Sequence, residues 1–170
     1  WIHKELFGRT KNITKKCLFI SLGGATEAAI WSVYYNVEEI KDEWNSIPYG
    51  YALSNQKVVV MDRENKECPP GIPGELWIGG VGVAKGYVNE ERMTKEKFVF
   101  YENDRWYRTG DLVKKDNIGC LEFLGRIDYQ IKLNGYRIEL EEIENNIAKC
   151  DSVERAIVLV TKKNGRKHLA

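Results

Sequence analysis

Tyr107-Arg-Thr-Gly-Asp-Leu112, then Gly125-Arg-Ile-Asp128, then Asn134-Gly-Tyr-Arg-Ile-Glu-Leu-Glu-Glu-Ile-Glu144, are the stretches from which this chain is read. They set carboxylates, guanidinium groups and turn glycines between short apolar runs, which suits a ligand-facing edge better than a packed core. Residues 57–61, 74–78, 105–107 and 121–124 have the apolar or alternating character of strands. Pro69-Pro-Gly-Ile-Pro-Gly74 must be a loop, and Asp116-Asn-Ile-Gly119 is a hairpin turn. A compact β-rich region, barrel or sandwich, is expected over residues 56–124.

The flanks differ. Residues 2–9 suit the tail of a helix, and 17–22 form an apolar strand ending at Gly23-Gly24, so a mixed α/β element opens the chain. Asn89 is expected to cap a short helix through Glu90, Glu91, Arg92 and Met93, with its acidic residues at the positive end of the helix dipole. After Asp128 the pattern changes. Residues 130–133 and 136–139 flank Asn134-Gly135, a pair suited to the positive φ angles of a two-residue turn. A helix follows, with Leu140, Ile143 and Ile147 facing inward and Glu141, Glu142 and Glu144 on a solvated face. Residues 156–160 read as a buried strand, and Asn164-Gly165 as a second turn. These shifts divide the chain into residues 1–127 and 128–170.

Composition narrows the function classes. The 170 residues are 43% hydrophobic and 30% charged, enough for one domain or parts of two. Lys plus Arg number 26 against 25 for Asp plus Glu, so the chain lacks the basic footprint of a nucleic-acid binder. No apolar run approaches the roughly 18 residues of a membrane span. We expect no nucleic-acid or membrane partner and a cytoplasmic location. Cys17, Cys68, Cys120 and Cys150 form no C-x-x-C pair, and His3 and His168 are the only histidines, which argues against a metal–thiolate or redox site. The chain starts at Trp1 and stops within a predicted strand at Ala170, so a segment of a longer polypeptide is expected.

Three motifs carry chemistry, each with a plainer alternative. Ser21-Leu-Gly-Gly-Ala-Thr-Glu27 brings small residues to a strand end, where amides and the Thr26 hydroxyl could meet phosphate oxygens and Glu27 a divalent cation; it could equally be an ordinary turn. Asp111 can accept two hydrogen bonds, as from the 2′- and 3′-hydroxyls of a ribose, or can satisfy its own turn. Arg126 offers a planar fork to phosphate, or to a carboxylate in a surface ion pair. Gly79-Gly-Val-Gly-Val-Ala-Lys-Gly86 has the wrong spacing for G-x-G-x-x-G, and no G-x-x-x-x-G-K-[ST] is present. Those glycines are expected to permit a bend or bulge.

Taken in order, Gly-Gly-Ala-Thr-Glu27, Gly74-Glu-Leu-Trp-Ile-Gly-Gly-Val-Gly-Val-Ala-Lys-Gly-Tyr87, Tyr-Arg-Thr-Gly-Asp-Leu112 and Gly125-Arg-Ile-Asp-Tyr-Gln-Ile-Lys-Leu-Asn-Gly-Tyr-Arg-Ile-Glu139 resemble the adenylation domains of nonribosomal peptide synthetases, within the adenylate-forming, AMP-binding superfamily. The resemblance runs from about Cys17 to Ala170. It implies a mixed α/β and β-rich fold: the C-terminal part of the large adenylation subdomain, a distorted β-barrel, followed by the start of the small α+β C-terminal subdomain. It also implies a two-step reaction. ATP and an amino acid form an aminoacyl-adenylate with release of pyrophosphate, and the acyl group passes to a phosphopantetheine thiol on a carrier domain.

By that resemblance Thr26 touches the phosphates, Glu27 binds Mg²⁺, Asp111 holds the ribose hydroxyls and Arg126 meets ribose or phosphate oxygens. Asp128 is the hinge, about which the small subdomain rotates to bring 134–137 toward the active site. Most relatives have an aromatic residue and Gly-Pro before Thr-Glu; here Gly23, Gly24 and Ala25 stand instead, so this loop offers no ring to adenine, and Phe123 is the candidate for that role. Gly-Gly-Ala-Thr-Glu-Ala-Ala-Ile-Trp-Ser resembles the heterocycle-forming subgroup. There the last pocket positions fall on Leu22, Ile30 and Trp31 beside Gly23, a combination similar to cysteine-activating domains, and condensation or cyclisation domains are expected as neighbours. The family's phosphate loop, amino-group-binding Asp and late catalytic Lys lie outside the chain, so the segment alone is expected to make no adenylate. The alternatives are an acyl-CoA synthetase or carrier-protein ligase of the same superfamily, or a non-catalytic module that has kept the motifs as scaffold.

Overall fold

The computed structural model describes the chain except residues 1–3, 15, 45, 129, 134, 135, 151, 164 and 165, and describes 132, 137, 141, 162, 163, 166 and 167 by backbone alone. It separates into two compact units, Trp1–Gly125 and Arg126–Ala170.

The first unit opens with helix α1 (Lys4–Ile13), which runs past the expected end at Arg9. β1 (Ile20–Gly23), β2 (Val33–Asn36) and β3 (Tyr51–Ala52) make a three-stranded antiparallel sheet, and a 3₁₀ turn (Thr26–Ala28) lies in the β1–β2 connection. β4 (Gln56–Met61), β5 (Gly74–Gly80), β6 (Phe98–Tyr101), β7 (Asp104–Lys115) and β8 (Leu121–Arg126) make a five-stranded antiparallel sheet of order β4-β5-β7-β6, with β8 also paired to β7. Where residues 105–107 were expected, β7 spans 12 residues, because successive parts of it serve different neighbours.

Pairing explains why β4 and β5 read as nearly unbroken apolar runs. Val58 faces Ile78 and Val60 faces Leu76, while Val59 faces Trp77. By the two-residue period of a strand, the first two pairs share one side and the third takes the other. On one side Val60, Leu76, Ile78, Val113 and Leu121 pack with Ala28 and Val33, and Tyr49 and Phe123 rest against them. On the other, Val59, Met61, Trp77 and Trp106 pack with Val99 and Tyr101. Each fully buried aliphatic side chain contributes roughly 1.5–3 kcal/mol. The first layer matters for function because the connection carrying Thr26 and Glu27 is folded onto it through Ala28.

The turn at 116–119 forms as expected: the Asp116 carboxylate accepts the Ile118 and Cys120 amides, at 3.0 and 2.8 Å. Helix α2 (Glu91–Lys97) requires a correction, since Glu90 occupies its N-cap and Asn89 adopts φ +59°, the left-handed conformation Asn tolerates. A residue in that conformation ends the preceding segment instead of capping the helix.

In the second unit β9 (Gln130–Leu133) and β10 (Tyr136–Glu139) pair in register, Ile131 opposite Ile138; the Asn134-Gly135 turn lies outside the described residues, as does Asn164-Gly165. Helix α3 (Leu140–Ile147) follows, then the hairpin of β11 (Val160–Lys163) and β12 (Arg166–Leu169). Three expectations need correcting. Leu140 is buried but Ile147 is exposed; the buried strand expected at 156–160 begins only at Val160, with Val158 its single buried apolar residue; and Glu144 is engaged, its Oε1 accepting the Val158 amide at 2.7 Å. A carboxylate that answers a backbone N–H from another segment cannot be told from a solvated one by helical periodicity.

Candidate active site

The site grows from a bulge. Gly74 and Glu75 pair with Val113 and Leu112, yet Trp77 pairs with Arg108, so Thr109, Gly110 and Asp111 stand opposite Leu76 alone. Extra residues in one strand bend it and re-aim side chains. Gly110 takes φ +72° there.

The bulge amides are answered locally. Glu75 Oε1 accepts the Gly110 amide at 3.0 Å, Thr109 Oγ1 accepts the Asp111 amide at 3.0 Å, and the Thr109 hydroxyl donates to the Leu76 carbonyl at 2.7 Å. Glu75 Oε2 accepts Trp77 Nε1 at 3.1 Å and Arg108 Nε and Nη2 at 3.1 and 3.0 Å. Glu75 and Thr109 thus answer the Gly110 and Asp111 amides of the bulge. The Asp111 carboxylate accepts the Tyr49 hydroxyl at 3.3 Å.

Tyr49 joins the parts. Its ring stacks on Phe123 with centroids 5.0 Å apart and planes at 20°, and a Cβ placed on Gly23 would lie 3.8 Å from it. One phenol thus touches the Gly23 end of the connection, the Phe123 ring and the Asp111 carboxylate. Motif reading gave Tyr49 and Glu75 no role. The signals were an aromatic between Pro48 and Gly50 and an acidic residue inside an apolar strand, neither of which names a partner.

The β1–β2 connection is closed by Ser32 N donating to the Gly23 carbonyl at 2.7 Å and Ser32 Oγ to the Ala28 carbonyl at 2.9 Å. Gly24 has φ +145°, and a Cβ there would meet Ser32 N at 2.6 Å. Ala29 and Ile30 both take left-handed backbone, φ +61° and +67°. For a β-branched residue this stores on the order of 1–3 kcal/mol, the kind of strain that clusters at ligand sites. Leu22, Ile30 and Trp31 are exposed, an apolar group left uncovered in this chain. Thr26 is exposed, and Glu27 is half-buried, with Oε1 accepting the Tyr87 hydroxyl at 2.8 Å.

In the second unit Arg126 pairs with Asp128, Nε to Oδ1 at 2.8 Å and Nη2 to Oδ2 at 2.5 Å. The fork meets a carboxylate, which is the ion-pair alternative.

Among the described residues no three His, Cys, Asp or Glu side chains come together as a metal cluster. Mg²⁺ is commonly held by one or two carboxylates with substrate phosphates and water, so a lone Glu27 fits that cation better than a closed transition-metal site. Burial pushes the Cys68 and Cys120 thiols up, away from thiolate character. No helix among the described residues is long and apolar enough to cross a membrane.

The bulge gives a first test. Glu75→Gln keeps the shape but removes the charge that gathers Arg108, Trp77 and the Gly110 amide. The expected cost is about 2 kcal/mol, read as a lower melting temperature together with weaker ATP binding in the intact polypeptide. Unchanged melting and unchanged ATP binding would show that Glu75 does not hold the bulge.

Residues 1–88 match the family model described as AMP-binding enzyme. Bacitracin synthase 1 of Bacillus licheniformis is 43% identical over 99% of this chain, which spans 3% of that protein. Phenyloxazoline synthase MbtB of Mycobacterium sp. (strain MCS) is 39% identical over 94% of the chain, which spans 14% of it. The solved structure of PA1221, an NRPS protein containing adenylation and PCP domains, superposes with a TM-score of 0.79 at 32% identity over 96% of this chain and 34% of that one. The chain belongs to the AMP-binding enzyme family, as a segment of an adenylation domain of the nonribosomal-peptide-synthetase type.

Proposed function

We propose that the polypeptide to which this segment belongs activates an amino acid as its aminoacyl-adenylate and loads it as a thioester on a phosphopantetheine carrier. The observation that carries the nucleotide part is the bulge: Asp111 lies in it with its amide answered by Thr109 and the Gly110 amide by Glu75, and its carboxylate accepts the hydroxyl of Tyr49, which stacks on Phe123. In the first half-reaction the amino-acid carboxylate attacks the α-phosphorus of ATP and pyrophosphate leaves. In the second the carrier thiol attacks the acyl carbon and AMP leaves. Asp111 accepts the ribose hydroxyls, Phe123 and Tyr49 present an aromatic edge to the base, and Thr26 with the Gly24 and Ala25 backbone faces the phosphates. Glu27 is the carboxylate that would hold Mg²⁺, which supplies charge neutralisation of the phosphates when bound.

Arg126 is the guanidinium we assign to ribose or phosphate oxygens, and its pairing with Asp128 makes that pair part of the hinge proposal. We place the hinge at Asp128, with residues 1–127 in the large subdomain and 128–170 opening the small one. Leu22, Gly23, Ile30 and Trp31 form part of the substrate wall, and cysteine is the substrate we propose. A relative named for a phenyloxazoline supports the heterocycle-forming setting, with condensation or cyclisation domains as neighbours. A carrier partner is supported by the PCP domain of the superposed structure. We also propose a cytoplasmic location.

Amino-acid-dependent ATP–pyrophosphate exchange by the intact polypeptide tests the reading, with cysteine compared against serine, threonine and aryl acids. Exchange with cysteine alone is expected. Exchange with a different acid would keep the reaction and discard the cysteine assignment; no exchange with any would leave a non-catalytic module.

A further inference from the structure

Residues 84–87 have no role in the reading above, yet they hold Glu27 twice. The Ala84 amide donates to the Glu27 carbonyl at 2.8 Å, and the Tyr87 hydroxyl donates to Glu27 Oε1 at 2.8 Å. Tyr87 is itself fixed on several sides. Its amide donates to Thr94 Oγ1 at 2.9 Å, its ring meets Phe98 edge-on at 5.4 Å, and its hydroxyl lies 3.4 Å from that of the fully buried Tyr107. Arg105 closes the segment from outside: Nε donates to the Ala84 carbonyl at 3.1 Å, Nη2 donates to the Lys85 carbonyl, and the guanidinium lies over Phe98 at 5.1 Å.

A glutamate has three side-chain torsions, and a donor held this firmly removes most of their freedom before any ligand arrives. We infer that Tyr87 is a positioning residue, its hydroxyl fixing Glu27 Oε1 so that the carboxylate meets the divalent cation of the nucleotide in one orientation, with Tyr107 tying that orientation to the strand that carries Asp111. The inference rests on the reading of Glu27 as the cation ligand. Groups that orient a metal ligand commonly govern about 10–100-fold in metal affinity or activity.

Tyr87→Phe deletes one oxygen. In the intact polypeptide with a non-hydrolysable ATP analogue, we expect Mn²⁺ binding, followed by electron paramagnetic resonance, to weaken by about 10-fold. The Mg²⁺ concentration giving half-maximal pyrophosphate exchange should rise by a larger factor than kcat falls. Tyr107→Phe, which removes the hydroxyl beside that of Tyr87, should produce a smaller shift in the same direction and reports on the same idea if the first variant folds poorly. A lower melting temperature with Mn²⁺ binding unchanged in both variants would overturn the inference. Glu27→Gln separates the two levels: if it leaves Mn²⁺ binding intact, the cation assignment of Glu27 fails. If it weakens binding while Tyr87→Phe does not, only the positioning role of Tyr87 fails. In the double variant the loss should not exceed that of Glu27→Gln alone, because the hydroxyl acts through that carboxylate.

Discussion

Asp111→Ala is expected to weaken ATP binding by the intact polypeptide about 100-fold and to reduce amino-acid-dependent pyrophosphate exchange at least as much. Two hydrogen bonds from ribose hydroxyls to one carboxylate are charge-assisted, and losing both costs roughly 3 kcal/mol, hence the factor. The fold should survive, because it is Glu75 and Thr109 that answer the Gly110 and Asp111 amides of the bulge. Its Tyr49 contact is long at 3.3 Å, so its loss costs the structure little. Calorimetric ATP titration with a melting curve decides the matter. An ATP affinity equal to the parent's would remove the ribose assignment, and a collapsed melting temperature would recast Asp111 as a structural residue.

The second large effect is expected at Gly50. It takes φ +82°, and a Cβ there would lie 2.0 Å from the Tyr34 carbonyl oxygen and 2.7 Å from Tyr35 Cβ. Its amide and carbonyl both bond Leu121, at 3.1 and 2.8 Å, joining the three-stranded sheet to β8 next to Tyr49. Gly50→Ala must displace backbone and adopt a disfavoured φ, a combined cost of about 3 kcal/mol or more. Gly71 supplies the comparison: φ is +84°, but nothing lies within 4 Å of the Cβ position. Gly71→Ala therefore carries the conformational cost alone, about 1–2 kcal/mol. The melting temperature of the intact polypeptide should fall clearly further for Gly50→Ala, with loss of ATP binding because Tyr49 moves. Equal falls for the two variants would show that the Gly50 contact yields without cost.

How much of this was legible in the sequence depends on the range of the interaction involved. The 116–119 turn was legible because one Asp side chain answers two amides within four residues. β4 and β5 were legible because burial on both faces leaves an apolar run whatever the pairing. Asn89 misled because two local preferences of Asn, capping and left-handed backbone, point to different placements. Glu144 misled because its partner amide, Val158, lies 14 residues away. In the site the motifs nominated Asp111, Glu27 and Phe123 individually. Glu75, Tyr49 and Tyr87 went unnoticed, their contacts spanning 35, 62 and 60 residues.

By itself the amino-acid sequence determined the family motifs and their order, the β-rich character of the first unit and the change of pattern near Asp128. Each of these rests on composition, periodicity or turn chemistry that acts within a few residues. Only the tertiary structure decided that Glu75 holds the bulge that carries Asp111, that Tyr49 joins Gly23, Phe123 and Asp111, and that Tyr87 grips Glu27. Those outcomes depend on register, where a slip of one residue sends every side chain of a strand to the opposite face. Register is set by the sum of many distant contacts, and no short stretch of sequence contains that sum.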